Sequence, residues 1–206
     1  DLTVFNPDLI EITAAAAPRQ NVREIGEDVV ATEMIVPGNH RIRPVDIGGI
    51  LAGGVNQIPV HPKPKVVILP TGTELVQPGS KLNPGNIIEY NSRVLSGFIT
   101  QWGGIPLRWE ITKDDYELLK KQILKATEEA DIVLINAGSS AGREDFTVDL
   151  VRELGTVITH GVAIKPAKPV ILGEINKKPV VGIPGYPVSA ALACELFVKP
   201  LIYHKL

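Results

Sequence analysis

The chain has 206 residues, with 21 Lys+Arg against 23 Asp+Glu and a formal net charge of -2; 44% of residues are apolar and 21% charged, which excludes wholesale disorder. That length allows one large domain, or a domain with a smaller lobe, around a core that needs no staple. The near-neutral balance argues against a nucleic-acid partner, the longest apolar run (around Val66–Leu69) is far too short for a bilayer, and the single cysteine, Cys194, leaves no internal disulfide and no cysteine metal cluster.

Cys194 sits beside Ala193 and Leu196 and fits a buried helix face better than a reactive thiol. No signal peptide opens the chain, so the expected location is cytoplasmic. The first residue is Asp1 and the only methionine is Met34, so the expectation is a fragment of a longer protein.

Residues 1–62 are expected to form a smaller, mostly β segment. Strands are expected over Leu9–Thr13, Val29–Ile35 and Gln57–His61. Pro37-Gly38-Asn39 signals a turn, and Pro44–Leu51 suits a short helix with Pro44 in its first turn. The run His61–Lys65 reads as a stiff linker, because its two prolines fix φ and remove two donors.

Residues 63–206 read as an α/β domain with an open, mostly parallel sheet and helices on both faces, because strands and helices alternate. Lys65–Leu69 and Ile132–Ile135 are continuous apolar runs, as expected of strands covered on both faces. Asn91–Trp102 carries a helical stripe, with Asn91 near its cap. Ile105–Ile111 alternates like a strand, and Pro106 hints at a sheet edge. Asp114 and Asp115 can cap a helix over Tyr116–Ala130. Phe146–Leu154 is a helix stopped by Gly155, and Thr156–Ile164 a strand. Val170–Glu174 and Pro179–Ile183 flank a hairpin turn at Ile175–Lys178. Val188–Lys199 is the last helix, with Pro200 as its expected stop.

In such sheets ligands bind outside the carboxyl ends of the strands. Four loops of unusual composition fall there: Pro70–Glu74, Asn136–Asp145, Lys165–Pro169 and Pro184–Ser189. The loop at 136–145 is rich in small residues and leads into a helix, which suits an anion, and Ser139 and Ser140 add hydroxyl donors. The bland alternative is a turn made small for packing. Lys165 and Lys168 are held by Pro166 and Pro169, which lowers the entropy lost when both ammonium groups close on an anion; alone, they would read as solvated lysines. Pro184-Gly185-Tyr186-Pro187 is a rigid approach to a helix start, with Ser189 able to donate there. Glu74, Asp145 and Asp28 are carboxylates that could hold Mg²⁺ beside phosphate, against the plainer readings of a solvated acid or, for Asp145, a helix cap. The four histidines, His40, His61, His160 and His204, show no metal-ligand spacing.

These loops, together with Arg23–Asp28, Pro70–Leu75, Asp131–Asp145, Val162–Pro169 and Gly182–Ser189, resemble the molybdopterin molybdotransferase family (bacterial MoeA and the gephyrin E domain). The resemblance runs from about Val22 to Tyr203, with the family's molybdopterin-binding domain matching roughly Val66–Leu206. It implies a transferase of molybdenum cofactor biosynthesis that inserts molybdate into adenylylated molybdopterin and releases AMP, assisted by Mg²⁺. The implied catalytic residues are Asp145, Glu74 and Asp28, with Glu74 and Asp145 on the metal. The implied substrate-binding set is Thr71, Gly72, Gly138, Ser139, Ser140, Gly142, Lys165, Lys168, Pro184, Gly185, Tyr186 and Ser189. The partners implied are these small molecules, with no nucleic acid and no membrane, and the implied assembly is a homodimer.

The chain departs from the family pattern in three loops. Ser-Gly-Gly-Val-Ser-Val-Gly reads Asn136–Gly142, Lys-Pro-Gly-Lys-Pro carries Ala167 for Gly, and Pro-Gly-Asn-Pro-Val-Ser carries Tyr186 for Asn. Longer members have a lobe before this start and a small domain after this end, so the expectation is a chain that binds substrate yet is weakly active or inactive alone. Two other readings stay open: a molybdopterin adenylyltransferase, and a non-catalytic molybdopterin- or molybdate-binding module of a larger regulatory protein.

Overall fold

The computed structural model describes residues 2–6, 8–137 and 146–206, which fall into two compact units, 1–60 and 61–206.

In the first unit, β1 (Leu2–Asn6) and β2 (Leu9–Ile12) form an antiparallel hairpin, and α1 spans Pro44–Ala52. Pro44 lies in the first turn of α1, where its missing N–H costs nothing. The Asp46 carboxylate caps this end: it accepts the Arg43 N–H (2.7 Å) and the Arg43 guanidinium (2.8 Å), and His40 Nε2 lies 2.8 Å away. Asp46 and Ile50 face inward.

Two strands expected in this unit do not form. Residues 29–35 are turns: the Glu33 N–H donates to Val30 O (3.1 Å) and Thr32 has φ +74°. Residues 57–61 run without a ladder partner, with Val60 69% exposed. β-branched composition fits a strand only where a neighbouring strand supplies hydrogen bonds and a covered face, and neither stretch has one.

The second unit is built on a six-stranded sheet in the order β6-β3-β7-β10-β9-β8. Its strands are β3 (Lys65–Thr71), β6 (Ile105–Arg108), β7 (Ile132–Ala137), β8 (Thr156–His160), β9 (Ile171–Ile175) and β10 (Lys178–Ile183). β6, β3, β7 and β10 run parallel, while β9 is antiparallel to both its neighbours. β6 is an edge strand, which is why Pro106 is tolerated in it. A further pair, β4 (Leu75–Val76) and β5 (Ile87–Ile88), is too short to leave a periodic signal in the sequence.

Alternation along the central strands supplies both cores. Val66, Ile68, Ile132 and Leu134 pack under α2 (Asn91–Gln101), α5 (Pro187–Ala193) and α6 (Lys199–Lys205), through Leu95, Ile99, Ala190, Ala193 and Ile202. Val67, Leu69, Val133 and Ile135 pack under α3 (Tyr116–Glu129) and α4 (Phe146–Leu154), through Leu119, Ile123, Leu150 and Val151. Each fully buried Leu or Ile contributes about 1.5–3 kcal/mol of burial, as an upper estimate.

Asp115 caps α3, accepting the Leu118 N–H at 2.8 Å. The strand expected to reach Ile164 ends at His160, because Gly161 turns the chain at φ +87° and its N–H donates to Val170 O (2.8 Å). Nor does the last helix stop at Pro200. A π-helical turn, Cys194–Val198, joins α5 to α6, and the Lys199 N–H donates to Cys194 O. The wider turn ends where α6 begins, so Pro200 falls in a first helical turn, where a proline needs no donor. Cys194 is buried beneath this turn, and burial pushes its thiol up to about 12, which suits an inert packing residue.

Candidate functional site

The strand registers bring the loop bases to one rim. Thr71 lies opposite Ala137, and Ile183 opposite Asn136, so β3, β7 and β10 end level. Gly182 and His160 both lie opposite Ile171, so the 161–170 connection leaves from the same edge. The segment 138–145, which carries the expected site residues Gly138, Ser139, Ser140, Gly142 and Asp145, lies outside the described residues.

The loop after β3 is a tight reversal. Gly72 has φ +148°, and a Cβ there would lie 2.9 Å from Glu74 Oε2, so a side chain at position 72 would displace Glu74. The Gly72 N–H donates to Thr112 O (3.1 Å), and the Thr73 N–H and hydroxyl donate to Asp114 Oδ2 (3.0 and 3.2 Å). Thr71 is buried at the end of the strand.

The β4–β5 pair then sets residues 87–91 beside Glu74: the Ile87 N–H donates to Glu74 O (2.9 Å) and the Glu89 N–H to Val76 O (2.8 Å). The Glu89 side chain is buried and fully engaged. It accepts the Ser92 N–H (2.7 Å), the Ser92 hydroxyl (2.6 Å) and Arg93 Nη1 (2.9 Å), and so caps α2 while Arg93 offsets its charge. Asn91 Nδ2 donates to Gly185 O at 2.7 Å, tying this segment to the loop after β10. Pro187 starts α5, and the Ala190 N–H closes on Tyr186 O (2.8 Å).

A cleft of about 170 Å³ opens among these parts; Glu74, Leu75, Glu89, Asn136, Gly185 and Tyr186 are among its lining. No hydrogen bond or ion pair reaches the Glu74 carboxylate among the described residues. Asn136 is 3% exposed, and its Oδ1 is buried without a hydrogen-bond partner among the described residues. An unpaired buried carbonyl costs about 1–3 kcal/mol, a debt typical of sites that a ligand completes.

Of the residues singled out from sequence, Glu74, Gly185 and Tyr186 meet in this cleft. Thr71, Gly72, Pro184 and Ser189 belong to the same rim loops, with Ser189 in the first turn of α5. Lys165 and Lys168 are exposed, pair with no carboxylate among the described residues and do not line the cleft. Between them, Ala167 has φ +77° and is buried in the core with Val170, so the backbone itself holds the two lysines outward. Asp28 belongs to the first unit, where it is exposed and ion-paired with Arg23. Among the described residues no group of three His, Cys, Asp or Glu side chains could hold a metal ion.

Sequence reasoning missed Glu89, and it read Asn91 as a cap and Asn136 only as the start of a loop. No pattern in the sequence marks Glu89, because the usual capping box places the serine first and the glutamate three residues later; the unpaired state of Asn136 exists only once β3 and β10 flank it on β7.

Comparison with known proteins bears on the same residues. A family model described as the probable molybdopterin binding domain matches residues 67–204. A protein of Methanocaldococcus jannaschii named for molybdopterin biosynthesis is 39% identical over 93% of this chain and 50% of its own length. Molybdopterin molybdenumtransferase 2 of Mycobacterium tuberculosis is 30% identical over 94% of this chain and 49% of its own length. The crystal structure of a molybdopterin biosynthesis MoeA protein from Pyrococcus horikoshii superposes with a TM-score of 0.81 at 37% identity, covering 100% of this chain and 51% of that one. The chain thus spans about half the length of the curated relatives it matches. With the model matching well over half its length, and nearly all of the sheet, the chain belongs to the molybdopterin-binding domain family.

Proposed function

We propose that this chain is the substrate-binding part of a molybdopterin molybdotransferase, which inserts molybdate into adenylylated molybdopterin and releases AMP. The observation that carries the reading is that β3, β7 and β10 end level at one rim, with two lysines that pair with no carboxylate among the described residues on one rim loop and a cleft holding an unsatisfied asparagine oxygen between two others. Lys165 and Lys168 supply cations for the pyrophosphate and for molybdate. Thr71, Gly72, Ser139, Ser140, Gly138, Gly142, Pro184, Gly185 and Ser189 complete a binding set of hydroxyls and close backbone. Tyr186, 66% exposed at the mouth of the cleft, offers a flat apolar face to the ligand.

Mg²⁺ fits the donors present. It binds through one or two carboxylates, with water and phosphate oxygens completing its shell, and Glu74 offers a carboxylate with no partner among the described residues. Glu74 and Asp145 would hold it, and it would neutralise charge developing on the phosphates. Asp28 enters the proposal through the family resemblance as a third acid. No helix among the described residues is long and apolar enough to cross a membrane. A cytoplasmic homodimer is the setting the resemblance suggests.

The test is AMP release from adenylylated molybdopterin by the chain, given molybdate and Mg²⁺. Release that falls strongly in Asp145→Asn, with the fold intact, supports the reading. Unchanged release in that variant removes Asp145 from the mechanism, and adenylate formation from ATP and molybdopterin instead would identify an adenylyltransferase.

A further inference from the structure

The β4–β5 wall is short of support. Its strands are two residues each, joined by the bonds from the Ile87 N–H to Glu74 O and from the Glu89 N–H to Val76 O. A strand pair of that length is marginal by itself, and packing adds little, because Ile87 and Ile88 are 44% and 38% exposed. A line of side chains crosses it instead. The Arg93 guanidinium donates through Nη1 to the buried Glu89 carboxylate (2.9 Å) and through Nη2 to Gln77 Oε1 (3.2 Å). Gln77 Nε2 donates in turn to Glu110 Oε2 (3.0 Å). Gln77 directly follows β4 and is half-buried. Both flanks of this line are firm. Arg93 stands in the first turn of α2, which packs on the sheet through Leu95 and Ile99. Glu110 lies on a stretch pinned to β3, where the Trp109 N–H donates to Ile68 O (3.0 Å) and the Thr112 N–H to Pro70 O (2.9 Å).

We propose that Gln77 is a positioning residue: its amide couples α2 to the segment after β6, locks the β4–β5 wall between them, and so fixes where the Glu74 carboxylate stands at the head of β4. The role calls for an amide. Gln77 accepts from a guanidinium on one side and donates to a carboxylate on the other, and an amide does both at once. A glutamate here would pair with Arg93 but turn a like charge on Glu110, and a lysine would pair with Glu110 but turn a like charge on Arg93. Resting on the transferase reading, in which Glu74 holds Mg²⁺, Gln77 sets the placement of that carboxylate without touching the ion itself.

The experiment measures amide exchange of Ile87 and Glu89 in the full chain, for the parent, Gln77→Met, Gln77→Glu, and the swapped pair Gln77→Glu with Glu110→Gln. The thermal melt should stay two-state near the parent midpoint in all four. Gln77→Met and Gln77→Glu should each speed exchange about fivefold, the equivalent of about one net hydrogen bond. The swapped pair should return to the parent rate, because the carboxylate at 77 then accepts from both Arg93 and the amide at 110. Unchanged exchange in Gln77→Met, or a swapped pair that exchanges as fast as Gln77→Glu alone, would overturn the coupling. A second readout separates placement from mere support: the Mg²⁺ concentration that half-saturates the shift of the Glu74 side-chain carboxyl carbon at fixed pH. It should rise about tenfold in Gln77→Met, as on loss of an outer supporting group. Faster exchange with unaltered half-saturation would make Gln77 structural only and overturn its positioning role. If Mg²⁺ moves the Glu74 signal of the parent while exchange is the same in every variant, the coupling falls alone. If exchange follows the swap while Mg²⁺ moves no Glu74 signal in the parent, the coupling stands and the metal role that the transferase reading gives Glu74 falls.

Discussion

Ala167 holds a left-handed backbone at φ +77° with its methyl 2% exposed. Glycine there would relieve the steric cost of a Cβ at positive φ, about 1 kcal/mol, and would lose a buried methyl worth about 0.8 kcal/mol. Ala167→Gly should therefore leave the urea midpoint nearly unchanged, whereas Ala167→Val should lower stability by more than about 2 kcal/mol, since a β-branched residue tolerates that backbone poorly. A large loss in the glycine variant would contradict this account. Lys168 is exposed and pairs with no carboxylate among the described residues, so Lys168→Ala should leave the melt unchanged and weaken binding of a pyrophosphate-bearing ligand by about 1–3 kcal/mol by calorimetry. Asn91 carries a contact that no single-residue reading suggests, the 2.7 Å bond to Gly185 O. Asn91→Ala should cost about 1–2 kcal/mol and speed amide exchange across residues 184–190; slow exchange there would show the loop is held by other means.

At the scale of elements, the hairpin joining β9 to β10 turns through Asn176 (φ +52°) and Lys177 (φ +60°), the geometry of a two-residue turn with both central residues left-handed. Lys177 is exposed, so Lys177→Gly should raise stability by about 0.5–1 kcal/mol in chemical denaturation, and a loss instead would mean that the lysine stem packs. The two central strands were legible because a strand covered on both faces is apolar through its middle, as Val66–Leu69 of β3 and Ile132–Ile135 of β7 are. Residues 29–35 have a similar apolar, β-branched look but fold as turns. Composition describes what a residue tolerates, while pairing depends on what lies beside it. The same gap hid β4 and β5, whose two residues each are fixed by each other and not by any pattern of their own. The chain also runs through Pro200 without ending its last helix, because a π turn precedes it.

For the whole molecule, the two units have separate sources of stability. The second has both apolar layers of the sheet, and residues 61–206 produced alone should melt cooperatively by circular dichroism. In the first, Ile50 is the buried hydrophobic among the described side chains, and the Arg43–Asp46–His40 group holds the start of α1. The hydrogen bond from Arg43 holds the Asp46 carboxyl well below the usual carboxylate range, with His40 adding to the effect against the cost of burial. A carboxyl whose folded value is depressed contributes its full stability above its unfolded value, about pH 4, and loses it only as pH falls toward the lower folded value. Amide protection over residues 44–52 should thus persist from neutral pH to about pH 4 and decline below it; in Asp46→Asn protection should be weaker at neutral pH and flat through the acid range. Loss of protection well above pH 4 in the parent chain would show that another group governs this helix.

The sequence by itself determined the layered α/β class of residues 63–206, the sites of most of its strands and helices, and the four loops whose composition resembles the molybdotransferases. Those features are local: hydrophobic period, capping residues and turn chemistry act over a few positions, so they are written in adjacent letters. Tertiary structure decided which groups are left wanting. Asn136 is an ordinary asparagine until β3 and β10 flank it on β7 and leave its carbonyl oxygen with no partner among the described residues, and Glu74 is an ordinary surface acid until the β4–β5 pair closes a wall beside it. Hydrogen-bond satisfaction is a property of neighbours distant in the chain, so only the folded molecule can show where it fails.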